Sequence, residues 1–394
     1  MMNDHHALFV LFLLLVGGVG GCDRERTDAE APAIPRTVTH VLHDTPELVL
    51  GTEPHPLHEV RAGILHGSRI VIAESSTNRL HFYDHGGGRE HSIGGTGRGP
   101  GEFARLWWVQ GVGEQLYAYD LELRRITRFS GDGQHRDDMR LAPHTPGRLP
   151  GAIGMFEDGS VLVEETAPRS PVGEPSVSRG EHMLWRISWG GSQRTFLDTY
   201  KGTEVFVEPR PGGGGRTTPL PFGRPSSVAV HGEVAYVVEN DRDAIRRLHL
   251  EGEELDPMRP TPRIVREAVD QETLRLARQH FVEREGLGGD RGARFDAMPV
   301  PDSLPYYGWE GFPRPRVMRA ASTGRTWVLR HGGLLPDVLR WLVFDENGQQ
   351  VREVASPHQH LDLLDSDGEF ALVRRWADLG EEFVELRRIV PLRD

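Results

Sequence analysis

The sequence predicts an all-β fold, a six-bladed β-propeller of four-stranded antiparallel blades with a helical insertion between blades four and five. Two observations carry this prediction. One is a turn-rich composition: 47 Gly and 28 Pro among 394 residues, with 37% hydrophobic residues, describe many short elements rather than a helix bundle. The other is a unit that recurs along the chain: an alternating apolar strand, a turn, a second strand ending near a charged residue, a third strand and a Gly turn.

The clearest copy is "VRAGILHGSRIVIAESSTNRLHFYDHGG", residues 60–87, followed by "WWVQGVGEQLYAYDLELRRITRFSGDG", 107–133. The third is "AIGMFEDGSVLVEETAPR", whose outer strand "MLWRISWGG" is delayed to 183–191 by a polar, Pro-rich insertion. The fourth, fifth and sixth begin at 226, 316 and 360. Each copy alternates with period two and carries Gly, Asp or Asn at its first hairpin, the residues that supply positive φ in tight turns. One unit alone is a small twisted sheet with two apolar faces, so neighbours must stack. Six units of about 45 residues fill the chain and match radial closure. The extended stretch "RTVTHVL", 36–42, is placed to supply the missing outer strand of the sixth blade and latch the ring. The segment 264–289 breaks the pattern: apolar residues at 265, 269, 274, 276, 277, 281 and 282 have helical spacing, with a stop at Gly286. Its stripe is expected to pack on the propeller.

The N-terminus reads as a processing segment. "ALFVLFLLLVGGVGGC" has the length of a signal-peptide apolar core, and Val19-Gly20-Gly21-Cys22 resembles a bacterial lipobox, whose cysteine is lipidated. Two features depart from that pattern: "MMNDHH" carries no Lys or Arg, and Val19 stands where Leu is usual. An uncleaved anchor helix is the alternative. The expected organisation is a signal peptide at 1–21, a tether at 22–35 and the propeller at 36–394. The protein would then be exported and held at the cell envelope through Cys22, in either the inner or the outer membrane. Cys22 is the only cysteine, so no internal disulfide is available and packing alone must hold the fold.

"GGTGRGPGEF" between the first two blades, "LYAYD…RRITRFSGDG" and "GRTWVLR…LVFDENG" make the chain similar to bacterial six-bladed propellers of the NHL-like type, over about residues 36–392. That resemblance implies the fold and little about activity, because the group spans lipoproteins, interaction domains and a few enzymes.

The glycine-rich loop does not read as a nucleotide site. Gly95, Gly97, Gly99 and Gly101 alternate, Pro100 interrupts, no Lys follows, and a new hairpin begins where a helix N-terminus would be needed. It reads as an inter-blade crossover. Aligning the repeats places Glu74, Asp120, Glu164, Glu239, Arg330 and Arg374 at one register, the end of the second strand. In a closed ring these positions lie on one face, predicting a mouth acidic on one side and basic on the other. They are the candidate ligand-binding residues, and the competing reading is that each acid fixes its following loop through backbone N–H groups.

No catalytic set emerges. A lactonase-like metal site would need converging carboxylates and amides. Glu74, Asn78, Glu239, Asn240 and Asp241 supply those residue types, so calcium is the cofactor the enzyme reading would take; otherwise none is expected. "HQH" at 358–360 offers two ligands, too few for zinc, and no G-x-S-x-G is present. The net charge of −12, from 46 basic and 58 acidic residues, argues against nucleic-acid binding. The favoured function is a ligand-binding or protein-interaction module at the envelope, with a small polar ligand or an envelope protein as partner. An envelope hydrolase or lyase at the channel mouth is the alternative.

Overall fold

Runs of Val, Ile, Leu and aromatic residues with period two, each cut by a turn residue, fold into antiparallel meanders that share one design. The computed structural model describes residues 37–392 except 168–173, 210–214, 285–294, 309–317, 332–337, 357, 359 and 378–380. Cys22, the signal segment, the tether and Gly286 lie outside the described residues.

The chain is a six-bladed β-propeller. Blade 1 runs Val60–His66, Arg69–Glu74, Arg79–Asp84 and Arg89–Gly94, paired in chain order. Blade 2 repeats this from Leu106–Val112 to His135–Arg140. Blade 3 starts at Leu149–Met155 and ends at Arg194–Lys201; blade 4 starts at Ser227–His231 and ends at Glu254–Met258. Blade 5 spans Met318–Ala320 to Gln350–Ser356, and blade 6 begins at Leu361–Ser366. A glycine with positive φ stands in the first hairpin of every blade: Gly67, Gly113, Gly159, Gly232, Gly324 and Gly368. Glycine reaches that conformation at no steric cost, which is why these turns were readable as turns.

Blade 6 takes strands from both ends of the chain. Its last C-terminal strand, Glu382–Pro391, pairs with Phe370–Trp376 on one edge. On the other edge it receives His40–Leu42 and Leu48–Leu50, in register Leu42↔Ile389 and Leu50↔Val384. The closing strand is therefore split in two, with a second half beyond 36–42. His40 also pairs with Val354 of blade 5 in parallel, so the latch joins two blades. Arg387, buried in the closure, donates to the His43 carbonyl at 2.9 Å and pairs with Glu385 at 2.6 Å.

The core is a set of inter-blade clusters rather than one centre. Leu50 and Leu57 pack with Val60 and Ile72 of blade 1 and Leu364, Leu372 and Val384 of blade 6. Inner strands come close together: a Cβ on Gly154 of blade 3 would lie 2.6 Å from Val230 of blade 4.

The insertion corrects two expectations. The helix, described as Gln271–Arg284, begins later than 264, because Asp270 caps it by accepting the Thr273 amide at 2.7 Å, and residues 285–289 lie outside the described residues. Its apolar face, through Leu274, Ala277 and Phe281, meets Phe222, Phe295 and Leu304 and, beyond them, Phe206, Leu220 and Met298. Phe206 and Leu220 belong to or flank a three-stranded sheet absent from the repeat pattern, Ser176–Ser178, Val205–Pro209 and Gly215–Pro219. The helix thus packs on this added sheet and its own flanking segment, not on a blade. Part of "RPGGGGR" is a strand of that sheet, since Gly215 and Arg216 pair with Pro209 and Glu208.

Leu50→Ala is expected to cost about 2–5 kcal/mol, because it opens a cavity at the closure. Val265→Ala, at a side chain 84% exposed, should change stability by no more than about 0.5 kcal/mol. Urea denaturation followed by tryptophan fluorescence checks both.

Candidate functional site

In each blade the inner strand runs toward the first hairpin and the second strand runs back. The pairing Val60↔Glu74 against His66↔Arg69 shows that the register residues and the first hairpins lie at opposite ends of the sheet. The two ends have different chemistry.

At the hairpin end, the inner strands of all six blades line one axial cavity of about 260 Å³. Its walls include Ile64 and His66 of blade 1, Trp108 and Gln110 of blade 2, Ile153 of blade 3, His231 of blade 4, Arg319 of blade 5 and Asp365 of blade 6. Asp365 ties the ring here: it accepts from the amides of Leu65 at 2.8 Å, Ser322 at 2.9 Å and Ser366 at 2.8 Å, joining blades 1, 5 and 6. Burial pushes its pKa up against those bonds. Gln110 clamps blade 3, accepting from the Met155 amide at 2.8 Å and donating to its carbonyl at 3.0 Å. Trp108 Nε1 donates to Ala152 O at 2.9 Å. Burial lowers the pKa of both His66 and His231, so both favour the neutral imidazole. Arg319 differs from these neighbours: its Nε and Nη2 are buried and have no hydrogen-bond partner among the described residues.

At the other end the six aligned residues sit together on one end of the ring, each engaged locally. Glu74 accepts from the His58 amide at 2.8 Å, His81 at 3.0 Å and the Thr77 hydroxyl. Burial raises its pKa, but these bonds outweigh it and hold the carboxyl at about 2. Asp120 accepts from the amides of Ala104 at 2.6 Å and Leu123 at 2.8 Å, fixing the crossover and its own turn. In blade 3 the crossover amides of His144 and Thr145 go to Glu165. Its neighbour Glu164 turns to the other face and meets His182 at 3.2 Å and the Tyr200 hydroxyl. The expected register is thus corrected by one in blade 3, where Glu165 rather than Glu164 takes the position of Glu74 and Asp120, a difference between two consecutive glutamates that only the strand pairing separates. Glu239 accepts from the Lys201 amide at 2.7 Å and faces Arg246 at 3.4 Å. Arg330 lies 3.6 Å from Glu353. Arg374 bonds Asp362 at 3.1 Å and the Val60 carbonyl, and stacks 4.1 Å over Trp376.

The other donors considered for a metal are similarly engaged. Asn78 holds the first crossover, accepting from Leu106 N at 2.9 Å, and Asn240 accepts from Tyr307 N at 2.8 Å. Asp241 pairs with Arg179 and Arg224, each at 2.6 Å. His358 pairs with Asp44 at 2.9 Å, while His360 is exposed. Among the described residues no three His, Cys, Asp or Glu side chains are grouped to hold a metal ion.

The glycine-rich loop wraps a cation. Arg125, buried beneath it, donates to the carbonyls of Arg98 at 3.2 Å, Gly99 at 3.0 Å and Glu102. A phosphate loop turns N–H groups inward; this one turns oxygens inward.

Fold and cavity together define a propeller whose inner strands surround a small, mixed apolar and polar chamber. A family described as a 6-bladed beta-propeller matches residues 52–144, the span of blades 1 and 2. A member of the duf4221 family from Bacteroides vulgatus superposes with a TM-score of 0.52 at 7% identity, over 91% of this chain and 100% of that one. Regucalcin from Agrobacterium tumefaciens, a calcium-binding protein, gives 0.39 at 11% identity over 91% and 96% of the two chains. A gluconolactonase from Xanthomonas campestris gives 0.40 at 13% identity over 85% and 87%. These likenesses are of fold alone. No curated protein matches the chain.

Because its folded pKa is depressed, Glu74 stabilises the native state above its unfolded pKa, and this is lost as pH falls toward about 2. The melting-temperature advantage of the wild type over Glu74→Gln should be full above about pH 4.5 and gone near pH 2. Calorimetric melts across that range check it.

Proposed function

We propose that the protein is an extracytoplasmic, lipid-anchored propeller that binds a small ligand in its axial cavity. The observation that carries the reading is the cavity itself, a concave axial space in which a mostly polar surface, including Gln110, His66, His231, Arg319 and Asp365, converges beside apolar side chains such as Trp108 and Ile153. A binding role is favoured over a hydrolase or lyase because the six aligned residues are all engaged. A general acid or base must be free to reach a substrate proton, whereas these carboxylates and guanidiniums are held by amides, hydroxyls and ion partners. Lipid anchoring rests on the apolar segment ending at Cys22.

Ligand-observed NMR of a fragment library against the mature protein tests the cavity. Hits should bind the wild type and lose at least about tenfold in affinity in Ala229→Trp, which fills the chamber, but not in Val265→Trp. Hits that bind both variants equally would contradict the cavity as the site. For the anchor, full-length protein expressed in a bacterial host should fractionate with membranes, and Cys22→Ser should not carry lipid. Equal incorporation of labelled fatty acid into both would overturn that assignment.

A further inference from the structure

Arg319 lies on the three-residue inner strand of blade 5, Met318–Ala320, and lines the axial cavity. It is the one Lys or Arg among the described residues of that lining. An arginine keeps its charge at any ordinary pH, and burying its N–H groups without acceptors is costly. Yet Nε and Nη2 are sealed from solvent and have no hydrogen-bond partner among the described residues. Two carboxylates, Asp362 and Asp365, act on it electrostatically. Asp365 spends both oxygens on three backbone amides, and Asp362 bonds Arg374 at 3.1 Å. Arg374 adds a second positive charge nearby. Two carboxylates shared between two guanidiniums, one of them already bonded to Arg374, leave Arg319 only partly compensated in charge.

The rest of the chamber narrows the partner. Trp108, Ile153, Val228 and Met318 present apolar surface. The two imidazoles at its edge, His66 and His231, favour the neutral form, so Arg319 stands as the fixed cation. A dianion would need more than one such charge, while a single guanidinium, of which Nη1 is not among the sealed atoms, matches one carboxylate through a charge-assisted hydrogen bond. The volume of about 260 Å³ equals roughly nine waters at about 30 Å³ each, which limits the ligand to a small molecule.

We infer that the axial cavity takes a small monocarboxylate with an apolar body, its carboxylate held by the Arg319 guanidinium. This rests on the reading of the cavity as a ligand site and adds the chemical class.

The test compares acids with their neutral amides in the mature protein at fixed pH and ionic strength. Isothermal titration of butyrate and benzoate against butyramide and benzamide should show the acids binding at least about tenfold more tightly. Arg319→Gln should erase the preference and Arg319→Lys should keep part of it. Both should fold, because the lost N–H groups leave no partner unsatisfied, and circular dichroism melts confirm this. Amides that bind as well as the acids, a preference that survives in Arg319→Gln, or inorganic phosphate bound more tightly than either acid would overturn the inference. If amides and acids bind equally and both are displaced by Ala229→Trp, the carboxylate falls while the ligand site stands. If neither class binds and no fragment responds to Ala229→Trp, both fall.

Discussion

Closure of the ring at blade 6 is the constraint on which the rest of the molecule depends. Each inner strand can bury its sides only against two neighbours, so an open ring would leave blade 1 and blade 6 with bare apolar faces. The chain meets this by laying His40–Leu42 and Leu48–Leu50 along the strand Glu382–Pro391. The contacts span 344 positions between Arg387 and His43. Bringing such distant segments together costs loop entropy that grows only slowly with length, and the cluster around Leu50, Leu57 and Val384 offsets it. With one cysteine in the sequence, no covalent cross-link within the chain assists.

The two ends of the ring use polar groups differently. At the crossover end, buried acids and amides hold backbone: Asp120 and Asn78 fix the same crossover from two blades, and the glycine-rich loop closes over Arg125 with its carbonyls. The Asp120 and Asn78 oxygens are met by backbone amides, as buried polar groups should be, while Arg125 keeps its Nε without a hydrogen-bond partner among the described residues. At the hairpin end Asp365 and Gln110 tie blades across the axis, and Arg319 is the one described lining residue with buried N–H groups that have no hydrogen-bond partner among the described residues. What sets Arg319 apart is that it lines the axial cavity, and this is what places the proposed site at the end away from the conspicuous charges.

Much of the fold was legible because its rules are local. Period-two strands, a glycine at each first hairpin and a spare extended segment near the N-terminus are all visible in one dimension, and all recur in three. The added sheet was not, because Ser176–Ser178 is three residues long and pairs with strands about 30 residues on through Gly-rich sequence. The helix was overextended because the apolar spacing continues upstream of its cap at Asp270. For the site, alignment correctly brought the aligned residues to one end but could not tell whether they faced a ligand or their own loops. Arg319 carried no signal at all: its strand is three residues long, and its isolation exists only once Asp365 has committed to other blades. A residue made significant by what its neighbours do elsewhere cannot be read from its own surroundings in sequence.

The central claim is that ring closure builds a chamber whose one open cation receives a carboxylate. A crystal structure of the mature domain grown with benzoate tests this most directly. The account predicts the carboxylate within about 3 Å of the Arg319 guanidinium, with the ring of the ligand against Trp108 and Ile153. A chamber holding only water, with benzoate absent or bound at the crossover end beside Arg330 or Arg374, would contradict it.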